Sequence, residues 1–163
     1  MPSGSSSTMT VAAATSILAS GWASGLGAGF TIAGMPAIIA GGASSEVMLR
    51  EWRFQFTRGH NFVPTLGMLN AVNYFSVAYH ACNRGAEWRG FAAAGLSTLF
   101  IVPYTLMFIM STNATLMAEH ESAKKSLDEP AIKSLVKKWS DLNVVRVLVP
   151  MIGTGLALWN FSL

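Results

Sequence analysis

Five residues in this chain of 163 could line a pocket for a small molecule: His60, Asn113, Trp139, Asn143 and Arg146. A free imidazole titrates near neutrality, at about 6.5, and suits a general base. A guanidinium carries permanent charge and can hold a developing oxyanion. Two carboxamides can orient hydroxyl or carbonyl oxygens, and an indole offers a flat face for stacking. Trp139 and Asn143 are four residues apart and Asn143 and Arg146 three, so on a helix all three share one face. A polar pocket at one mouth of a helical bundle is what such a set could form. Each residue also fits a plainer role. Arg146 can reach for lipid phosphates, and Trp139 can anchor at a membrane interface. The asparagines can cap or join helices, and His60 can be an exposed loop residue.

The elements that must position them are apolar. No charged side chain precedes Glu46. A helix of about 20 apolar residues crosses a hydrocarbon core of about 30 Å. Four runs reach that length, spanning approximately 11–40, 64–82, 90–111 and 143–162. Charged residues make up 12% of the chain, against roughly 25% in soluble domains, so polar outer faces for a soluble bundle are missing. The expected fold is all-α: one integral membrane domain over residues 1–163, a four-helix transmembrane bundle. The uncharged N-terminal stretch lacks the positive region of a signal peptide, and the first helix reads as retained.

The connections are polar. From Glu46, Arg50, Glu51, Arg53 and Arg58 alternate with Met48, Leu49, Trp52, Phe54 and Phe56. This predicts an amphipathic interfacial helix after the first span, broken at Gly59-His60-Asn61, with Pro64 opening the second span. A polar helical extension, Ala118–Asp141, joins spans three and four; Pro130 interrupts it, with Asp128 and Glu129 placed to start a new segment. Alternating helix directions then bring His60, Asn113, Trp139, Asn143 and Arg146 to one membrane face, and His80 to the other. Arg50, Arg53 and Arg58 and the lysines 124, 125, 133, 137 and 138 lie in loops one and three. The positive-inside rule makes those loops cytosolic. Gly21, Gly25 and Gly29 recur every fourth residue, and small residues so spaced let helices approach closely, inside the bundle or in a homo-oligomer.

Several functions are excluded. The lysines are interleaved with Glu and Asp, as on a solvated face, and nucleic-acid binding is not expected. Cys82 is the sole cysteine, so there is neither an internal disulfide nor a multi-cysteine metal site. Phosphate loops, HExxH and GxSxG elbows are missing. No cofactor is required and no metal site is expected, although one axial histidine on a haem would need only His60 or His80.

Three stretches resemble a known family. Trp52-Arg-Phe-Gln-Phe-Thr-Arg-Gly-His60 followed by Pro64 is similar to the W-x3-Y/F-x2-GH-x3-P stretch of the anthrone-oxygenase-like membrane proteins. Pro103-Tyr-Thr-Leu-Met-Phe-Ile-Met-Ser-Thr-Asn113 resembles their P-F-T-x3-M-x-P-T-N stretch, and Trp139-Ser-Asp-Leu-Asn143-Val-Val-Arg146 their W-x2-LN-x2-R signature. Phe56 stands where Tyr is usual, Ile109 where Met is, and Ser111 replaces a Pro. The resemblance implies an oxygen-dependent oxidase or monooxygenase of polyketide metabolism that converts an anthrone to an anthraquinone.

Its implied partners are a flat lipophilic aromatic substrate, molecular oxygen and the bilayer. His60 would take the methylene proton and Arg146 would hold the oxyanion. Asn113 and Asn143 would orient phenol oxygens, and Trp139, Tyr104 and Trp52 would line the substrate. The implied location is the endoplasmic reticulum or another internal membrane of a eukaryotic cell. Two alternatives remain at this point: a haem-dependent membrane oxidase with a histidine ligand, and a non-catalytic membrane partner of a biosynthetic enzyme.

Overall fold

The structure, a computed structural model, describes residues 7–122 and 126–162; Lys124 and Lys125 of the expected solvated face lie outside them. Among the described residues the fold is all-helical, without strands. Helix α1 (Ser7–Ala28) passes through a wide π turn (Gly29–Gly34) into α2 (Met35–Ala40). Then come α3 (Ser45–Asn83) and α4 (Arg89–Tyr104). A second π turn (Thr105–Ile109) leads into α5 (Met110–Glu121), and α6 (Glu129–Ser162) completes the chain. Three helical runs are long and apolar enough to cross a membrane: Ser7–Ala40, Arg89–Glu121 and Glu129–Ser162. Many of their outward residues are apolar; Leu18, Trp22, Ile32, Met107, Ile152 and Trp159 are all exposed. Such a surface is compatible with an integral membrane protein.

Both π turns lie beside prolines. Pro36 has no N–H for the carbonyl four residues back, and its ring crowds that turn. The expected weakening near Pro36 takes the form of a widened turn, in which the Met35 N–H reaches the Phe30 carbonyl. Likewise, Pro103 is followed by a turn in which the Met110 N–H reaches Thr105. At the start of α6, Asp128 accepts the Ala131 N–H at 3.0 Å, and Pro130 occupies the first turn, where a missing donor costs nothing.

Three expectations need correcting. Gly59-His60-Asn61 does not break the chain: α3 runs for 39 residues through Gly59 and Pro64. A mid-helix glycine costs only about 1 kcal/mol, whereas a break would leave several backbone groups unpaired near lipid. Nor does the third helix end with its span near residue 111. It continues as α5 to Glu121, and α6 begins at Glu129, so the polar extension is the outer halves of two long helices. Finally, Gly21, Gly25 and Gly29 face open space; a Cβ added at any of them would meet nothing within 4 Å. The face of α1 that packs is Ala13, Ser16, Ser20 and Ser24.

The glycines that do let helices touch are elsewhere. A Cβ on Gly90 would strike the Leu156 carbonyl and the Asn160 carboxamide; one on Gly153 would strike Ser97 and stand 3.0 Å from the Ala94 Cα. One on Gly95 would lie 2.9 Å from the Phe75 ring. These three residues draw α3, α4 and α6 together around a core of Ala13, Tyr74, Val77, Ala78, Phe91, Ala94 and Ala157. A second core, of Met35, Leu49, Trp52, Tyr104, Ile109, Leu116, Ile132, Val136 and Trp139, fills the other end.

Candidate active site

The second core brings most of the candidate residues together. On α3, Trp52, Phe56 and His60 recur every fourth residue and form a ladder of rings. Trp52 stacks on Phe56 with centroids 5.1 Å apart, and Phe56 on His60 at 5.3 Å. From α6, Trp139 meets Trp52 edge-on, at 6.2 Å and 85°. The Trp139 indole Nε1–H donates to Asn113 Oδ1 of α5 at 2.9 Å. One turn on, Asn143 Nδ2 donates to the Trp139 carbonyl at 2.7 Å, and Arg146 donates to Asn143 Oδ1 at 3.0 Å. Asn113, Trp139 and Asn143 are buried, and Arg146 is half-buried. The result is one directed run, Arg146 to Asn143 to the Trp139 backbone, with the Trp139 side chain on Asn113.

The two π turns hold this stretch of α6 from either side. Ser140 Oγ donates to the Thr31 carbonyl of the first turn at 3.0 Å. Tyr104, which immediately precedes the second, donates its hydroxyl to the Leu142 carbonyl at 3.1 Å. π turns often occur at functional sites, because they re-aim side chains inside an otherwise regular helix. His60 and Arg146 each lie four residues before a helical proline, Pro64 and Pro150. Neither carbonyl therefore has its helical donor.

Of the sequence-derived candidates, the structure joins Asn113, Trp139, Asn143 and Arg146 by hydrogen bonds and sets Trp52 and Tyr104 beside them. His60 is exposed at the outer end of the ladder, and its link to the run is the ring stack. His80 is also exposed, edge-on to Tyr79, at the other end of α3. The two imidazoles are separated by about 30 Å at about 1.5 Å per residue. Sequence reasoning missed Gln55 and Ser140, both buried at this end. The available signal was position: Gln55 is three residues from Trp52, on the same helical face, and Ser140 is the neighbour of Trp139.

The span containing all these α3, α4, α5 and α6 residues, 52–156, matches the anthrone oxygenase family. The chain belongs to that family. It is 29% identical over 123 residues to the noranthrone monooxygenase of Aspergillus flavus, covering 74% of this chain and 59% of that protein. An anthrone oxygenase of Cryptosporiopsis sp. is 30% identical over 126 residues, with 77% and 71% covered. One from Paecilomyces divaricatus is 26% identical over 166 residues, covering 93% of this chain and 98% of its own. The chain thus spans about three-fifths of the first relative and nearly all of the last. No solved structure matches it.

Proposed function

We propose that this family member is a membrane-bound oxygenase that oxidises a flat, lipophilic aromatic ketone of the anthrone type with molecular oxygen. The observation that carries the reading is the buried run from Arg146 to Asn113, walled by Trp52, Trp139 and Tyr104. It offers a cation and two carboxamides beside flat apolar surfaces. His60 removes a methylene proton of the ketone. The resulting anion spreads its charge onto the carbonyl oxygen, where Arg146 stabilises it. The carbanionic carbon bonds to oxygen and gives a peroxide, which takes up a proton. Loss of the second methylene hydrogen with cleavage of the O–O bond releases water and leaves a new carbonyl. Oxygen accepts four electrons; one of its atoms enters the product and the other becomes water.

In this reading residues 64–82 of α3 make the fourth crossing, since they carry no charged side chain. The charged halves of α3, α5 and α6 stand together on the cytosolic side of an internal membrane. Contacts of Arg53 with Met117 and, at 4.0 Å, with Glu121 support that grouping. Labelling Cys82 and a cysteine introduced at Ser126 from opposite faces of the membrane tests the topology. The function is tested with purified protein, an anthrone and isotopically labelled oxygen. Label in the new carbonyl, and its loss in His60→Ala but not in His120→Ala, is the expected result. No turnover would remove the reading, and a haem absorption band that His60→Ala or His80→Ala abolishes would replace it with a haem oxidase.

A further inference from the structure

Four buried side-chain atoms at the aromatic end have no hydrogen-bond partner in the protein, the hydroxyls of Thr105 and Thr112 and, on one helix, Trp52 Nε1 and Gln55 Oε1. Trp52 is fully buried and Gln55 is 7% exposed. A buried donor or acceptor left unpaired costs about 1–3 kcal/mol, so each such atom calls for an explanation. The two residues are three apart on α3 and share a face. That face meets the first π turn, where Gly34 lies against the Gln55 carboxamide; a Cβ there would stand 3.4 Å from Nε2. It also meets Trp139, the centre of the hydrogen-bonded run. An indole N–H only donates, and a carboxamide oxygen only accepts. Their complement is therefore an acceptor beside a donor.

We infer that Gln55, together with the Trp52 indole, reads the oxygen pattern of the substrate: Oε1 accepts from a phenolic hydroxyl and Nε1–H donates to the adjacent carbonyl oxygen. This rests on the aromatic-ketone reading and sharpens it. Gln55 becomes the residue that distinguishes ketones with a hydroxyl next to the carbonyl from the unsubstituted ring system. A site built to hydrogen-bond a hydroxyl discriminates strongly against the analogue lacking it, because its own polar groups are then left unpaired.

The test is equilibrium binding to the detergent-solubilised full chain, followed by quenching of tryptophan fluorescence. The paired probes are 1-hydroxyanthraquinone and unsubstituted anthraquinone. The native protein should prefer the hydroxylated probe by about tenfold or more, the equivalent of at least one hydrogen bond. Gln55→Met should bring the two affinities within about twofold of each other while leaving that for the unsubstituted ring unchanged. Equal affinity of the native protein for the two probes overturns the inference without any variant, and leaves the oxygenase reading intact if anthrone turnover persists. Undiminished preference in Gln55→Met also overturns it, and assigns the buried atoms to internal water. Preference without turnover keeps the inference and removes the oxygenase reading. Binding of neither probe removes both.

Discussion

The two ends of the bundle are built on opposite rules. At one end helices touch through backbone: Gly90, Gly95 and Gly153 remove side chains where α3, α4 and α6 meet, and Ala13, Ala78, Ala94 and Ala157 fill what is left. Several polar groups there bind backbone carbonyls of α1 directly, although Asn160 Nδ2, beside Gly90, is buried without a partner. Asn73 Nδ2 donates to the Ala12 carbonyl at 3.1 Å and the Tyr74 hydroxyl to that of Ser16 at 3.1 Å. At the other end the core is built of large side chains, two π turns interrupt the helical ladders, and polar atoms remain unpaired on Trp52, Gln55, Thr105 and Thr112. The first arrangement has little room to give, because interiors packed backbone to backbone relax poorly. The second keeps unpaired polar groups beside flat apolar walls. One end clamps the helices, and the other is the end to which the proposed function assigns recognition.

The largest expected effect lies at the clamped end. Gly90→Val places a branched side chain into the Leu156 carbonyl and should abolish folded protein, read as loss of the monodisperse peak in size-exclusion chromatography. Survival of a folded, active Gly90→Val protein would undo the contrast. At the aromatic end, Arg146→Ala should leave folded yield unchanged and lower kcat by about 10²- to 10³-fold, the range for removing an oxyanion-stabilising group. A matching fall in melting temperature and activity would instead make Arg146 structural.

Trp139→Phe keeps the ring and removes the donor to Asn113. Leaving Asn113 Oδ1 unpaired should destabilise the protein by about 1–3 kcal/mol, measurable as a lower melting temperature. The smallest effect is expected for Gly25→Leu. The added side chain enters open space, and stability should change by no more than about 1 kcal/mol, the scale of helix propensity alone. A large loss would reveal a partner on that face of α1.

This contrast was only half legible in the sequence. The spacing of Trp139, Asn143 and Arg146 fixed their common face, and alternating helix directions placed Asn113 near them. Both follow from helical geometry and chain order, which are local information. The glycine contacts were not legible, because a four-residue repeat defines a face but not what lies opposite. Gly25 and Gly90 look alike until the Leu156 carbonyl is known to lie against one of them. The length of α3 was misread for a related reason. Gly59 and Pro64 are breakers by propensity, but neighbouring helices and the need to pair backbone groups near lipid override it. Gln55 looked like one more polar residue of an amphipathic stretch; only burial sets it apart from Arg53 and Arg58.

Arg146 has one further consequence. Among the described residues no carboxylate lies within ion-pair distance of it; its partner is a neutral carboxamide. In the proposed reading a neutral ketone arrives uncharged, is negative only while it reacts, and leaves as a neutral quinone. The attraction of the guanidinium therefore switches on after entry and off before exit. The chemistry itself then ends the electrostatic grip on the product. Turnover should be paced by diffusion of the quinone back into lipid, and should slow in thicker or more viscous bilayers.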